Sequence, residues 1–552
     1  MLVFVSPGRA GAGSARVVDA TTAETLADHR PADLAAWMAN FEVSEHPRWI
    51  LPAVDELYPQ LLQKDIRLSR CYDLTLAEGL LLAHEGRHGT HRNPGAAWAR
   101  LHGRVEPEDK PPPAKDAQPA LFDVDERFYP LDQLAEVYTD QQRRVLNTAH
   151  PDRIRLLLAS ESAGALAAAE MSHHGLPWSE KVHLELLESM LGPRPLPGAR
   201  PAKVAELAEK IIEAFGGRSL NPDSPPSVVK AFAGEGIDIP NTRAWVLREI
   251  DHPAVEPLLE YKELARMWSA HGWSWLESWV HDGRFKPEYV VGGVVSGRWA
   301  TRGGAALQLP KALRKAVRAL PGWSLVVADA AQLEPRVLAA LSEDQKLAEF
   351  SRDVDLYAGL AKDSFEGDRG KAKIAMLSAM YGGTSGGAGP LLAVLRKRFP
   401  QAVGHVEQAA QAGELGRMVR SQLGRTSPVP SERWRTLMER SEGTEEEMRK
   451  SRQAARDWGR FTRNFVVQAS AADWALVLLV VLRRRLTALA PKAEIVFYQH
   501  DEFMVHCPAE TAELVSTELL ASAKEASKLV FGDTPVQFPL EVATVDSYAD
   551  AK

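Results

Sequence analysis

Two apolar, strand-like segments of this chain each end at an aspartate. The first covers residues 325–329 (LVVAD) and the second residues 495–501 (IVFYQHD). An aspartate in such a position leaves the core of a sheet and faces a cleft, and carboxylate oxygens are ligands that magnesium prefers. Two of them from different strands can share a pair of divalent cations that hold both oxygens of a phosphoryl displacement. The sequence therefore predicts that Asp329 and Asp501 meet at one site.

A stripe of cationic and apolar side chains lies between these segments. Arg369, Lys373, Leu377 and Tyr381 recur every four residues in a stretch rich in alanine and methionine. They lie on one face of a helix, because an α-helix has about 3.6 residues per turn. Cationic groups on an exposed face suit a triphosphate, so the stripe and the aspartates together predict nucleotidyl transfer. The alternative is an amphipathic helix whose basic side chains reach solvent.

A second stripe repeats the same spacing. Arg460, Asn464 and Gln468 are four residues apart and precede the segment ASAADWA. Long hydrogen-bonding side chains in a row can reach the minor groove of a duplex, where the acceptors of different base pairs are similar. Such contacts would tolerate any sequence. The alternative is a polar surface stripe, which would be the preferred interpretation of this segment taken alone.

Composition limits the possible partners. A formal net charge of -7 over 552 residues excludes a protein coated in basic surface, so a nucleic acid would be held by local patches. Cys71 and Cys507 are too few for a disulfide framework or a cysteine zinc site, which fits a reducing cytoplasm. We expect no signal peptide and no membrane-spanning segment, hence a cytoplasmic protein.

The pattern of the chain divides it into regions. Residues 103–120 concentrate proline and charge and predict a linker or long loop. Helices are predicted over residues 153–173 and 202–215, and between residues 347 and 482 with a glycine-rich interruption at 382–389. Strands are predicted over residues 289–295 and 323–329, and a hairpin over 494–505 with His500 and Asp501 at its tip.

With these segments in view, the chain resembles DNA polymerase family A, the DNA polymerase I family of bacteria. Residues 329–336 (DAAQLEPR) resemble that family's motif A (DYSQIELR). Arg369, Lys373 and Tyr381-Gly382 have the spacing of its motif B, and residues 500–502 (HDE) resemble its motif C. Three further segments agree in order: residues 259–265 (LEYKELA), residues 296–298 (SGR) with 307–310 (LQLP), and Gln468 with Ala472-Asp473. The resemblance is collinear from about residue 190 to the C-terminus.

The resemblance implies an α/β multidomain architecture with the right-hand polymerase fold of palm, fingers and thumb. The expected boundaries place an RNase H-like, exonuclease-type α/β domain at residues 1–145 and the polymerase domain at 146–552. Within the latter, the thumb is expected at about 185–290, the palm at about 291–345 and 470–552, and the fingers at about 346–469.

The resemblance also implies roles for individual residues. Two Mg²⁺ ions, or Mn²⁺ in their place, would be held by Asp329, Asp501 and the carbonyl of Ala330, with Glu502 beside them. Lys373 would donate a proton to the leaving pyrophosphate, and Glu334 would exclude a ribose 2'-hydroxyl. The incoming nucleotide would be bound by Arg369, Lys373, Leu377, Tyr381, Glu334, Gln332 and Tyr357. DNA would be contacted by Arg298, Arg460, Asn464, Gln468, His500 and Arg336.

Several positions depart from the family pattern. Leu377 stands where the family has an aromatic residue that packs on the sugar, and Tyr357 stands where it has a phosphate-contacting histidine. Ala330 and Ala331 replace a tyrosine and a serine, Pro335 a leucine, and Tyr498-Gln499 a glutamine followed by an apolar residue. We expect these changes to affect rate and fidelity more than reaction type.

The first region lacks the pattern of an active exonuclease. Proofreading domains of this family carry an Asp-x-Glu pair on an early strand, and no such pair occurs here. The segment around Asp73 (YDLTLA) resembles an exonuclease helix only faintly. Because a two-metal hydrolase needs its carboxylates, we expect a degenerate, inactive exonuclease-like domain. His84, His88 and His91 have spacing compatible with a metal, although a polar loop is the favoured interpretation.

Three functions remain open at this point. The first is a monomeric, DNA-templated DNA polymerase without proofreading, which extends primer-template DNA with dNTPs in repair or replication at the nucleoid. The second is a single-subunit RNA polymerase, against which Glu334 argues. The third is a catalytically weak, polymerase-shaped module that binds duplex DNA.

Overall fold

The computed structural model describes residues 1–110, 128–353, 355–383, 388–439 and 444–551. The chain forms two compact units. One contains Met1–His173, Tyr289–Ala300 and Val326–Ala543, and the other contains His174–Glu288, Thr301–Leu325 and Thr544–Lys552. Of the predicted linker, residues 111–120 lie outside the described residues, as do residues 384–387 of the glycine-rich interruption.

The N-terminal region is a mixed sheet between two helical layers. Its elements are β1 (Leu2–Pro7), β2 (Gly13–Val18), β3 (Thr25–His29), α1 (Leu34–Glu45), β4 (Arg48–Leu51), α2 (Val54–Leu62), β5 (Cys71–Asp73), α3 (Leu74–His84), α4 (Pro94–Leu101) and α5 (Leu131–Leu146). The strand order is β3-β2-β1-β4-β5, in which β1 pairs antiparallel with β2 and parallel with β4. Alternate residues of β1 enter different cores: Val3 and Val5 pack on the side of α1 and α2, and Phe4 on the side of α3 and α5. The α/β expectation for this region is confirmed.

The predicted boundary at residue 145 does not separate compact units. Helix α6 (Pro151–His174) follows α5 within the first unit, where Glu170 is buried. Arg483 donates to Glu170 at 2.7 and 3.0 Å and to the carbonyl of Leu68, and the Tyr58 hydroxyl donates to Glu170 at 2.5 Å. A buried ion pair fixed by these hydrogen bonds therefore joins the N-terminal region to distant segments of the chain. The subdivision into palm, fingers and thumb stays a prediction.

Asp73 shows how a carboxylate of the N-terminal region is used in the fold. Its side chain is buried and caps α3 by accepting from the backbone N–H of Leu76 at 2.8 Å, and it also accepts from that of Val54 at 2.7 Å. Burial raises the pKa of Asp73 to about 7, although these two hydrogen bonds oppose the shift.

The raised pKa predicts a pH dependence of stability. Between the unfolded pKa near 3.8 and the folded value near 7, the native state keeps a proton that the unfolded state has lost. Stability therefore falls as pH rises through this window, by up to about 1.4 kcal/mol per pH unit. Replacing Asp73 with asparagine removes this pH dependence. The amide oxygen keeps the capping hydrogen bond from Leu76, whereas the hydrogen bond from Val54 is lost at every pH. Urea unfolding of both proteins between pH 4 and 8 should show that the free energy of unfolding of the mutant rises relative to that of the wild type as pH rises.

Asp33 provides the matched control for this experiment. It caps α1 by accepting from Ala36, but it is exposed and its pKa is lowered, chiefly by that hydrogen bond. The contribution of Asp33 is present above its unfolded pKa and lost as pH falls. The free energy of unfolding of Asp33→Asn, relative to the wild type, should therefore not rise between pH 5 and 8. An equal pH response in the two mutants would contradict the role of burial at Asp73.

The second unit is helical with a small sheet. Its elements are β6 (Leu176–Pro177), α7 (Glu180–Leu191), α8 (Ala202–Ala214), α9 (Pro225–Gly234), α10 (Ala244–Leu247), α11 (Val255–His271), α12 (Trp273–Trp279), β7 (Val280–His281) and β8 (Arg284–Phe285). Trp178, His183, Trp275 and Phe285 form an aromatic core in which neighbouring ring centroids are 4.8 to 5.7 Å apart. Helices α6 and α8 agree with the predicted helices. The strand predicted at residues 289–295 is shorter in the structure, where β9 covers Glu288–Val290. It pairs with β10 (Ala300–Arg302).

The remaining elements build a four-stranded sheet and the helices around it. They are β11 (Trp323–Ala330), α13 (Leu333–Ser342), α14 (Gln345–Phe350), α15 (Leu356–Ser364), α16 (Arg369–Tyr381), α17 (Ala388–Arg398), α18 (Pro400–Glu414), α19 (Glu432–Glu439), α20 (Glu445–Leu489), β12 (Glu494–Gln499), β13 (Glu502–Pro508), α21 (Ala512–Phe531) and β14 (Leu540–Val545). The sheet order is β12-β13-β11-β14. The predicted strand and hairpin are confirmed as β11 and as β12 with β13.

Helix α20 is 45 residues long and passes through the core. By length and composition it contains a window apolar enough to cross a membrane, which the sequence expectation overlooked, and 89% of that window is buried inside the fold. Trp474, Leu478 and Leu482 of this helix are fully buried. The apolar run is thus accounted for by core packing.

Candidate active site

The two predicted aspartates lie on neighbouring segments, with Asp329 in β11 and Asp501 in the turn between β12 and β13. The backbone N–H of Ala330, at the end of β11, donates to the carbonyl of Asp501 at 3.0 Å. Gln499 pairs with Glu502 across the hairpin, so His500 and Asp501 form its two-residue turn, with His500 in the left-handed conformation at φ 58°. Both aspartates are half-buried and Glu502 is buried. The backbones that carry Asp329 and Asp501 are therefore adjacent, whereas a site shared by their carboxylates stays a prediction.

Glu334 connects three elements of the site. It lies in the first turn of α13, where one carboxylate oxygen accepts from Arg298 at 2.6 Å and the other accepts from the Tyr381 hydroxyl at 2.5 Å. Burial and the hydrogen bond to Glu334 raise the pKa of Tyr381, so this hydroxyl stays protonated and donating. Glu334 thereby fixes Arg298 and the end of α16 relative to each other.

A second network surrounds Asp355, the N-cap of α15. The Gln332 amide donates to Asp355 at 2.8 Å and accepts from the backbone N–H of Leu356 at 2.8 Å, while Arg369 donates to Asp355 at 2.7 Å. The Arg369 guanidinium also lies 5.7 Å from the centre of the Tyr357 ring. Burial tends to raise the pKa of Asp355, but the hydrogen bonds from Arg369 and Gln332 outweigh it and lower the pKa. Arg369 therefore has an anionic partner within the protein.

Helix α16 presents the predicted stripe. It begins after Asp368, which caps it by accepting from Lys371, and it ends at Gly382, whose φ of 71° suits a helix C-cap. Arg369 and Lys373 are exposed, Tyr381 is 39% exposed, and Leu377 is half-buried against the core. Exposure of both cations on one face agrees with a ligand surface and equally with solvated basic side chains.

A cavity of about 180 Å³ lies between these elements. It is lined by Arg298, Gln332, Leu333, Glu334, Pro335, Tyr357, Leu377, Met380, Ala471, Ala472, His500 and Asp501. Burial and the neighbouring Arg298 lower the pKa of His500, so its imidazole is neutral near pH 7. Burial raises the pKa of Tyr357 to about 12. The cavity thus combines one carboxylate from each of two chain segments with an arginine and an apolar wall.

The second predicted stripe lies on α20. Arg460 is exposed and pairs with Asp457, whereas Asn464 and Gln468 are half-buried. The Asn464 Oδ1 atom is buried without a hydrogen-bond partner within the described ranges. One to two turns further along the helix, Ala471 and Ala472 line the cavity. The stripe therefore leads toward the site.

The prediction that Arg336 contacts DNA is wrong. Arg336 is fully buried on the inner side of α13. Its guanidinium donates to the carbonyls of Ala331 at 2.8 Å, Ser351 at 2.5 Å, Asp353 at 2.9 Å and Gln537 at 3.1 Å. Burial lowers the pKa of Arg336 to about 10. Arg336 satisfies backbone acceptors and holds α13 against the neighbouring loops.

The three histidines of residues 84–91 do not converge on one point. His84 Nδ1 lies 3.3 Å from the carbonyl of Gly424, and His88 Nε2 lies 3.1 Å from the carbonyl of Thr426. His91 Nδ1 accepts instead from the backbone of Asp109 at 3.3 Å. The described ranges contain no group of three or more His, Cys, Asp or Glu side chains arranged to hold a metal. The predicted ligands are the carboxylates of Asp329 and Asp501 and the carbonyl of Ala330, which are hard oxygen donors suited to Mg²⁺.

Sequence reasoning missed two groups near the site. Asp355 organises Gln332 and Arg369, and a polar residue before a helical segment was its only signal. Arg425 is buried close to the residues that carry Arg298, and no local pattern marked it.

Comparison with known proteins shows the family of the chain. The model of the family "DNA polymerase family A" matches residues 199–549. The chain belongs to DNA polymerase family A. Among its relatives are DNA polymerase I, thermostable, of Thermus filiformis, with 28% identity over 319 residues, 53% of this chain and 35% of that protein. DNA polymerase I of Bacillus subtilis (strain 168) is 24% identical over 453 residues, 75% of this chain and 48% of that protein.

The chain thus spans about a third to a half of the length of these family A relatives. A solved structure, the POL domain of Pol1 from M. smegmatis in complex with DNA primer-template and dNTP, matches with a TM-score of 0.73 at 19% identity. The match covers 100% of the present chain and 95% of the solved chain, which establishes the family A polymerase fold. The expected family and fold are therefore confirmed, whereas the exonuclease-like assignment of residues 1–145 stays a prediction.

Proposed function

We propose that the chain is a DNA-templated DNA polymerase that extends a primer 3'-hydroxyl with dNTPs. The observation that carries this proposal is the backbone contact that brings Asp501 beside the end of β11, next to a cavity lined by Glu334 and by Leu377 of the cationic helix. A reaction between a hydroxyl and a triphosphate needs this combination of carboxylates and cations.

The donor set assigns residues to a cofactor. DNA polymerases of family A generally use divalent metal ions, and here two Mg²⁺ ions, or Mn²⁺, would be held by Asp329, Asp501 and the carbonyl of Ala330. When bound, such ions activate the hydroxyl and neutralise the phosphates. Glu502 is buried beside Asp501 and adds negative charge to the same end of the hairpin.

The protein side chains bind and orient the nucleotide. Lys373 is exposed on α16 and binds the triphosphate, where it donates a proton to the leaving pyrophosphate. Arg369 binds the same phosphates, and to do so it gives up its hydrogen bond to Asp355. Leu377, Tyr381 and Tyr357 contact the sugar and base. On the DNA side, Arg298, His500, Arg460, Asn464 and Gln468 contact the primer-template duplex.

We also propose that the N-terminal region does not proofread. Asp73 caps a helix, and Glu78 is buried among Arg100, Arg144 and Gln141, which donate to it at 2.8 to 3.0 Å. These carboxylates are committed to the fold. We place the enzyme in the cytoplasm, as a monomer at the nucleoid.

Primer extension with purified protein tests the proposal. A labelled primer annealed to templates that differ in the next base is mixed with Mg²⁺ and one dNTP at a time. We expect incorporation of the complementary dNTP on each template. Binding of the duplex without extension would support a binding module instead, and extension with ribonucleotides alone would support an RNA polymerase.

Glu334 is predicted to set sugar discrimination. Replacing Glu334 with alanine opens the space that a ribose 2'-hydroxyl would need and removes the shared partner of Arg298 and Tyr381. A change of 2 to 3 kcal/mol in transition-state binding corresponds to about a 100-fold rise in the ratio of ribonucleotide to deoxynucleotide kcat/KM. Single-nucleotide kinetics with a dNTP and the matching ribonucleotide measure this ratio.

Tyr381→Phe separates the two effects of that mutation. It removes the hydrogen bond to Glu334 but leaves the carboxylate in place, so the ratio should change less than about threefold while dNTP incorporation falls. An unchanged ratio in Glu334→Ala would show that Glu334 acts only by holding its two partners.

A further inference from the structure

A buried ion cluster lies behind the site. Arg425 is 6% exposed, and Glu161 and Asp473 on either side of it are 2% and 0% exposed. The guanidinium donates to Asp473 at 2.8 Å and to Glu161 at 2.5 Å, and the Ser421 hydroxyl donates to Asp473 at 2.6 Å. Burial tends to lower the pKa of Arg425, but the two carboxylates outweigh it and raise the pKa. Arg425 is therefore a fixed cation joining α6, α20 and the segment before α19.

The guanidinium has little freedom to move. Its Nε and one terminal nitrogen are taken by carboxylates from different helices, and the backbone of Arg425 is closed into a turn with Ser421 at 2.8 Å. The next carbonyls, of Gly424 and Thr426, contact His84 and His88. This arrangement fixes the orientation of the guanidinium, because hydrogen bonds to a planar fork depend on direction.

Gly297 lies directly against this cation. Its φ is +86°, and a Cβ added there would lie 2.5 Å from the Cζ atom of Arg425. Only a residue without a side chain permits this approach. The turn that carries Gly297 is closed by hydrogen bonds from Gly297 to Val294 at 2.8 Å and from Val294 to Arg298 at 3.0 Å. The side of Gly297 on which a side chain would lie is thus filled by the Arg425 guanidinium.

Arg298 follows at once and enters the site. Its side chain lines the cavity and donates to Glu334 at 2.6 Å, and Glu334 in turn accepts from Tyr381. A displacement of the Gly297 backbone would shift Arg298 by a similar amount. Misplacement by about 1 Å can cost on the order of 100-fold in rate.

We propose that Arg425 is a positioning residue for Arg298: its guanidinium, held by Glu161 and Asp473, supports the backbone of Gly297 and thereby sets where Arg298 meets Glu334. The proposal rests on the polymerase function for its kinetic consequences. It requires the planar guanidinium, because a lysine at this position keeps the charge but offers neither the flat surface nor two directed donors.

A double-mutant cycle tests the proposal. Single-nucleotide kcat and KM are measured for wild type, Arg425→Lys, Arg298→Ala and the double mutant. We expect the single mutant Arg425→Lys to have a kcat/KM about 10- to 100-fold lower than that of the wild type. In the Arg298→Ala background the same change should cost less than about twofold, since nothing is left to position. Equal losses in both backgrounds would overturn the proposal.

Arg483→Lys is the matched control. Arg483 is also a buried arginine of α20, the helix that carries Asp473, and it pairs with Glu170 of α6. Its hydrogen bonds among the described residues go to Glu170, Leu68 and Ser69, and none of these lines the cavity. Thermal unfolding should show that both lysine variants are destabilised, while incorporation well below the unfolding temperature falls only in Arg425→Lys. A similar loss of incorporation in both variants would mean that Arg425 acts only through global stability.

Two further measurements keep the test independent of folding and of activity. If Arg425→Lys does not fold, Gly297→Ala enters the same cycle, because its methyl group displaces the backbone from the guanidinium. A crystal structure of the folded variant should show Arg298 moved out of hydrogen-bond distance of Glu334. If Arg298 has not moved in that structure, the positioning role of Arg425 is overturned, whatever the activity of the wild type. Failure of the wild type to extend a primer would refute only the polymerase function.

Discussion

Alanine in place of Asp329 or Asp501 should lower single-nucleotide incorporation by at least about a thousand-fold. Asp329 lies in β11 and Asp501 in the turn between β12 and β13, and the two segments are joined by the hydrogen bond from Ala330 to Asp501. Each carboxylate would supply an anionic oxygen to the same pair of cations. Loss of one ligand removes several kcal/mol of transition-state stabilisation, and about 4 kcal/mol corresponds to a factor of a thousand. Rapid-quench measurements of one turnover, with enzyme in excess of primer-template, give the rate.

Asp533→Ala is the control for this experiment. Asp533 is an exposed acid in the loop that follows α21, so its loss changes the net charge by the same amount without affecting the site. The affinity for primer-template should be maintained or raised in Asp329→Ala and Asp501→Ala, because removing a negative charge does not weaken binding to phosphates. Wild-type rates in both mutants would refute the proposed catalytic centre.

Locally encoded features of the site could be predicted from the sequence. The apolar run before Asp329, the hairpin around His500 and the four-residue spacing from Arg369 to Tyr381 each specify an element by their periodicity, and β11, the β12–β13 hairpin and α16 confirm them. A metal site shared by Asp329 and Asp501, which are more than a hundred residues apart, was predicted from the acidic ends of two strand-like segments. It stays a prediction, although the backbones of the two segments are adjacent.

Features that depend on tertiary partners could not be predicted. Arg336 follows Glu334 by two residues on α13, so one side chain enters the site while the other turns to buried carbonyls. Helical periodicity shows that Glu334 and Arg336 lie on different faces of α13. It does not show which of these faces packs against the neighbouring loops. Arg425 meets Glu161 across 264 residues of sequence, and no local pattern records such a pair.

The boundary at residue 145 has a similar explanation. Proline and charge at residues 103–120 predict a break in regular structure, although residues 111–120 lie outside the described residues. Composition does not record the buried contact of Arg483 with Glu170 and the Leu68 carbonyl, which ties the N-terminal region into the larger unit. This contact joins residues that are far apart in sequence, and the extent of the exonuclease-like region stays a prediction.

Lys373→Ala should lower kcat by about 100- to 1000-fold and change the affinity for primer-template less than about twofold. Lys373 is exposed on α16 and has no ion pair among the residues that the structure describes. Its charge is therefore available to the triphosphate, and general-acid catalysis of pyrophosphate departure contributes in this range. Single-turnover rates at saturating dNTP, together with a fluorescence-anisotropy titration of labelled DNA, separate the two effects.

Lys371 makes this prediction specific to one face of α16. Two residues away on the helix, it is equally cationic and exposed but lies on another face, 3.6 Å from Asp368. Lys371→Ala should change kcat less than about threefold, whereas Arg369→Ala should raise KM for the dNTP, because Arg369 binds phosphate only in exchange for Asp355. If Lys373→Ala instead weakens DNA binding and turnover by the same factor, Lys373 is a contact to the DNA backbone, and the proton of the leaving group must come from another residue.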